Sequence, residues 1–77
     1  MDSELLEHWW NGAVGRQRED VLVRICPDGR HEVELRQGKR SLKRDYRTLE
    51  EAQRISYGLR AVGFWLELAN ARVPTAA

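Results

Sequence analysis

Cys26, His8 and His31 are the side chains of this 77-residue chain best suited to soft-metal ligation or nucleophilic chemistry. A structural zinc site draws on close Cys and His pairs, and these three spacings match no such pattern. A Cys26–His31 pair would be brought together by a turn between their strands. Position 26 abuts that turn, however, and nothing in the sequence supplies the positive charge that activates a thiol. Cys26 is therefore read as a small residue at a strand end. Most carboxylates lie beside basic residues, the pattern of a solvated face rather than of an acid–base pair. No glycine run has phosphate-loop spacing. The expectation is a non-enzyme with no metal, no cofactor and no small-molecule substrate.

Charge and aromatic residues carry the remaining chemistry. Thirteen Lys and Arg against twelve Asp and Glu leave a net charge of +1, but the distribution is uneven. Residues 1–15 hold Asp2, Glu4 and Glu7 with no Lys or Arg, whereas residues 36–47 hold Arg36, Lys39, Arg40, Lys43, Arg44 and Arg47 against Asp45 alone. Together with Arg24, that run could track a phosphate backbone. The competing reading is a solvated edge paired with Glu32, Glu34 and Asp45. Glu32 and Glu34 would also repel phosphate from the middle of a sheet. Trp9, Trp10 and Trp65 are the second group, because exposed tryptophan is a common anchor of protein interfaces.

The element that must position these residues is a helix over 48–62. Thr48 and Glu51 form a capping box, and Glu50 and Glu51 suit the positive end of the helix dipole. Leu49, Ala52, Ile55, Leu59 and Val62 recur at steps of three and four, and Gly63 is placed to stop the helix. Upstream, residues 20–47 read as antiparallel strands. Val21, Val23 and Ile25 alternate along the first, and Pro27-Asp28-Gly29-Arg30 is turn chemistry. Val33 and Leu35 face inward from the second strand, with Glu32, Glu34 and Arg36 outward. Gln37-Gly38-Lys39 makes another turn. The third strand, 40–46, is basic enough to be an edge.

The ends are less regular. Residues 1–19 read as an N-terminal segment and linker. Ser3–Trp10 is expected to be a short helix, with Leu5, Leu6, Trp9 and Trp10 on one broad apolar side. Residues 64–68 alternate as a last strand, while Leu66, Ala69 and Val73 also continue the helical stripe through Gly63, so 64–71 read as strand or helix; 74–77 form a tail. The whole, 1–77, is expected to be a single domain near the lower size limit for an unstapled core. With Cys26 the only cysteine, no internal disulfide is possible. No run approaches the ~20 apolar residues of a membrane span, and Met1-Asp2-Ser3-Glu4 is unlike a leader. A cytoplasmic setting without membrane contact is expected.

The strand, Asp28-Gly29 turn, strand, Gly38 turn, strand and then Tyr46-Arg47-Thr48-Leu49-Glu50-Glu51-Ala52 resemble the three-stranded-sheet-plus-helix DNA-binding domains of AP2-like factors and phage-integrase N-termini. The resemblance spans residues 20–62 and implies a sheet that enters the major groove. Arg24, Arg36 and Lys43 would inherit contacts there. Glu32 and Glu34 depart from that pattern, since those families place Arg and Trp on the reading face.

The sequence thus predicts an α+β fold: an antiparallel sheet of three strands, or four with 64–68, packed on one main helix, with a short N-terminal helical segment. The function expected is a small protein-binding accessory or regulatory module of a cell or phage. It would act on a protein partner or as a homodimer, through Trp9, Trp10 and Trp65. The alternative is nucleic-acid binding through the basic residues.

Overall fold

A computed structural model describes residues 3–68. Five antiparallel strands form one sheet in the order β4-β3-β2-β1-β5. They are β1 (Glu4–Trp10), β2 (Glu19–Ile25), β3 (His31–Gln37), β4 (Arg40–Tyr46) and β5 (Leu66–Glu67), and a helix, α1 (Leu49–Leu59), lies across one face. The α+β class is as expected, with a larger sheet than the three or four strands predicted. The further strand is β1. Residues 4–10 are not helical but pair along β2, from Glu4 opposite Ile25 to Trp10 opposite Asp20.

A bulge between Leu5 and Glu7 explains the helical look of β1. A bulge sets two residues against one, so the alternation slips by a residue. Leu6 packs into the core at 6 % exposure, and Trp9 packs against the same core three residues later. Apolar residues three apart are what a helix would show. The tertiary reason for a strand is β2, whose Val21 and Val23 are completely buried and which needs a partner on both edges.

The register separates two faces. Val21, Val23 and Ile25 stand opposite Leu35, Val33 and His31, and Leu42, Arg44 and Tyr46 continue those rows on β4. This is the helix side. The intervening rows, Asp20–Arg36–Ser41, Leu22–Glu34–Lys43 and Arg24–Glu32–Asp45, form the other side, which no described helix covers. The outward placement of Glu32, Glu34 and Arg36 is as the alternation predicts. Between β3 and β4, Gln37 pairs with Arg40 across a two-residue loop. Gly38 there has φ +61°, and a Cβ would lie 3.3 Å from the Arg16 carbonyl oxygen, so both the turn and its neighbour require glycine.

The start of α1 is as read from the sequence. Thr48 is the N-cap, and its hydroxyl accepts from the Glu51 amide at 3.1 Å. Thr48→Ala is expected to cost about 1 kcal/mol, seen as a lower midpoint in chemical denaturation. An unchanged midpoint would show that the cap contributes nothing. The helix ends earlier than Val62. Gly63 does have a left-handed φ of +96°, but the last helical residue is Leu59. Arg60 leaves helical geometry at φ −97°, ψ 6° and lays its guanidinium over Trp9, 3.9 Å from the ring centroid.

The buried line of α1 also differs from the predicted stripe. Ala52 and Ser56 are fully buried, whereas Ile55 and Leu59 are 38 % and 37 % exposed. Small residues let the helix approach β2 and β3 closely. The bulkier members of the stripe are thereby turned toward β4, where they overhang the sheet without being enclosed.

Candidate binding groove

The overhang creates a groove between α1 and the edge strand. Val33, Leu35, Leu42, Tyr46, Ile55 and Leu59 line it together with Lys43 and Arg44, and it holds about 280 Å³. Leu42 is 59 % exposed. An apolar side chain that open, continuous with two half-exposed helix residues, is unusual for a surface facing only water. Leu42 lies in the middle of the third strand, 40–46, expected from the sequence. What the sequence could not show is that the helix would stop short of covering it.

The predicted tryptophan anchors are all half-buried and engaged within the chain. Trp9 packs against the core beneath Arg60, and its Nε1 donates to Glu7 Oε1 at 3.1 Å. Gln53 of the helix donates to the other oxygen of Glu7. Trp65 packs against the core, and its Nε1 donates to the Val62 carbonyl at 3.0 Å. Trp10 lies on the opposite sheet face, stacked by Arg18 at 4.6 Å. Arg18 in turn forks onto Asp20 with two bonds of 2.9 Å, and His8 Nε2 donates to Asp20 Oδ2 at 2.7 Å. Burial raises the Asp20 pKa, but bonds from Arg18 and His8 outweigh it, so the net shift is downward. The structure does not bring the three tryptophans into one patch.

The predicted basic set divides in two. Arg24 and Arg36 are engaged by acids: Arg24 Nη1 lies 3.0 Å from Glu32 and 2.8 Å from Glu34, and Arg36 Nε is 2.9 Å from Glu34. Ser41 adds a 2.6 Å bond to Glu34. Burial would raise the pKa of Glu34, whose side chain is 4 % exposed, yet the donors from Arg36, Ser41 and Arg24 hold it at about 2. Lys39, Arg40, Lys43, Arg44 and Arg47 have no ion pair among the described residues. A second hollow, lined by Gly15, Arg16, Gln37, Gly38, Lys39 and Arg40, adds Arg16 to that unpaired set. Sequence reading missed Arg16 because a single 3-10 turn, Gly15–Gln17, carries it there, inside a stretch read only as linker.

One cluster was invisible along the chain. Cys26, Glu32 and Asp45 bring their ligand atoms within 4.8 Å of one another. Glu32 and Asp45 are register partners on β3 and β4, whereas Cys26 lies just beyond the end of β2. Glu32 is at the same time engaged by Arg24. Among the described residues, no helix is long and apolar enough to cross a membrane. No family model, curated protein or solved structure matches this chain.

Proposed function

We propose that this chain is a non-enzymatic protein-binding module, accessory or regulatory in role, and that its binding surface is the groove between α1 and β4. The observation that carries this reading is Leu42, 59 % exposed beside Ile55 and Leu59 in a groove open to solvent. Apolar grooves of this kind take an apolar side chain of a partner as anchor. The surface differs from the tryptophan-bearing ends expected from sequence, because those rings already have partners in their own chain.

A second reading, nucleic-acid binding, is favoured by Arg16 joining Lys39 and Arg40 around one hollow. It is the weaker reading. Arg24 and Arg36 are engaged by Glu32 and Glu34, which cancels the positive charge in the middle of the face that would meet phosphate.

The test is selection of a random displayed-peptide library on the immobilised chain, in parallel with selection of random single- and double-stranded DNA. The expected result is a peptide consensus recovered by the native chain and lost by Leu42→Glu, with circular dichroism showing the variant folded. Loss of an anchor contact should weaken the selected peptides by at least ~2 kcal/mol. Recovery of DNA without peptides would support the second reading. Peptides retained equally by Leu42→Glu would place the binding surface elsewhere.

A further inference from the structure

We propose, building on the protein-binding reading, that the partner presents an extended segment in which an apolar residue is flanked two positions away on each side by an acidic one, and that this segment adds to β4 as a further strand. Three observations converge on this. The first is the edge itself. β4 ends the sheet, and the two-residue loop makes Gln37 and Arg40 a hydrogen-bonded pair. Alternation along the ladder then turns Arg40, Leu42, Arg44 and Tyr46 toward β3. Ser41, Lys43 and Asp45 are left with both backbone groups pointing outward. A row of outward amides and carbonyls is a template for an incoming strand.

The second observation is the groove above that edge. An added strand lies about 4.8 Å from its neighbour, so it would extend the floor of the groove and supply the wall now missing. Its helix-side residues would meet Leu42, Ile55 and Leu59. The helix leaves room for it. At 100° per residue, position 58 lies on the groove side of α1, further from the sheet than Ile55 and Leu59. It is a glycine, and a Cβ there would meet nothing within 4 Å among the described residues. Glycine inside a helix costs roughly 0.5–1 kcal/mol against alanine, and no neighbour among the described residues requires it. The position leaves space for an approaching backbone or side chain.

The third observation is charge, and it selects the occupant. Arg40 and Arg44 flank Leu42 on the helix side of β4 and have no ion pair among the described residues, which suits a strand with an acid opposite each of them and an apolar residue opposite Leu42. A second copy of this chain is disfavoured by the same charges. Antiparallel self-pairing must set outward residues against outward residues. Centred on Leu42, it places Arg40 opposite Arg44. Centred on Lys43 or on Arg44, it places that cation opposite itself. Like charges directly opposed destabilise a strand pair.

The experiment is a titration of the isotopically labelled chain, followed by amide NMR and hydrogen exchange. The probes are four: a peptide as long as β4 with valine at its centre, glutamates two positions to either side and serines between, its lysine counterpart, the glutamate peptide N-methylated at alternate amides, and a DNA duplex. The glutamate peptide is expected to bind saturably and to slow exchange at the Ser41, Lys43 and Asp45 amides. The lysine and N-methylated peptides are expected to bind at least about tenfold more weakly, the scale of a ~1.4 kcal/mol loss. Gly58→Leu should leave the chain folded and weaken binding by a similar factor, while Gly58→Ala should raise the melting temperature. Peptide binding with shifts at Trp10 and Arg18 instead, or equal binding of the N-methylated peptide, overturns strand addition but leaves the protein-binding reading standing. Absence of binding by the glutamate peptide, or protection of the three amides at high concentration of the chain alone, overturns the proposed occupant. Binding of the duplex alone overturns both.

Discussion

Glu34→Gln is expected to destabilise the fold by about 3 kcal/mol, at the lower end of the ~3–5 kcal/mol range for breaking a buried ion pair. The residue is 3 % exposed and takes bonds from Arg24, Arg36 and Ser41. Glutamine keeps the shape but removes the charge that both guanidiniums face. The lower end applies because Arg24 retains Glu32 and the Arg36 side chain is 47 % exposed to water. For a chain this short, the loss corresponds to a fall in melting temperature of at least about 12 °C. The same group sets the acid limb of stability. Its folded pKa, about 2, lies below the ordinary value of 4.5, so its contribution is present above pH 4.5 and is lost as pH falls toward 2. The difference corresponds to roughly 3 kcal/mol. Denaturation midpoints measured from pH 6 down to pH 2 should therefore decline for the native chain and decline much less for Glu34→Gln. Parallel acid profiles for the two proteins would show that Glu34 is not the controlling group.

Ser56→Leu is the second large effect, about 2–3 kcal/mol of destabilisation, from overpacking a filled site. Ser56 is fully buried under α1 and its hydroxyl accepts from Arg60 Nε at 3.3 Å. A larger side chain would push the helix away from β2 and β3. It would also release Arg60, whose guanidinium covers Trp9. Ile55→Ala, although it removes more apolar volume, is expected to cost only about 1–2 kcal/mol, below the ~2–5 kcal/mol of an enclosed site. Ile55 is already 38 % open to solvent. Chemical denaturation of both variants separates the possibilities. If Ile55→Ala proves the more damaging, the helix is seated on its bulky residues and not on its small ones.

The comparison between these two positions shows where reading the sequence stops. Three- and four-residue spacing correctly gave a helix and its start at Thr48, because capping is local chemistry. It could not decide which members of the stripe would be enclosed. That depends on how closely the helix approaches the sheet, and Ser56 carries no apolar signal. The β2 and β3 strands were legible for the same local reason: regular alternation and turns at Asp28-Gly29 and Gly38. The β1 strand was not, because a bulge at Leu6 gave a strand the spacing of a helix. The binding groove was legible only in part. The basic edge could be read from Arg40, Lys43 and Arg44. Pairing of the basic residues with Glu32 and Glu34 was the competing reading, but which cations are engaged follows from cross-strand register, and the groove itself from the reach of a helix that ends at Leu59.

The face of the sheet away from α1 has a thermal consequence. Among the described residues it is closed mainly by carboxylates and guanidiniums around Asp20 and Glu34, with Leu22 and Trp10 between them, rather than by a second apolar layer. Apolar area is what gives unfolding its large heat capacity, and exposure of polar area lowers it. The penalty for desolvating charged groups also falls as temperature rises. A domain built with one greasy face and one ionic face therefore has a shallow stability curve. Its resistance to unfolding varies less between cold and warm than that of a sheet sandwiched between two hydrocarbon layers.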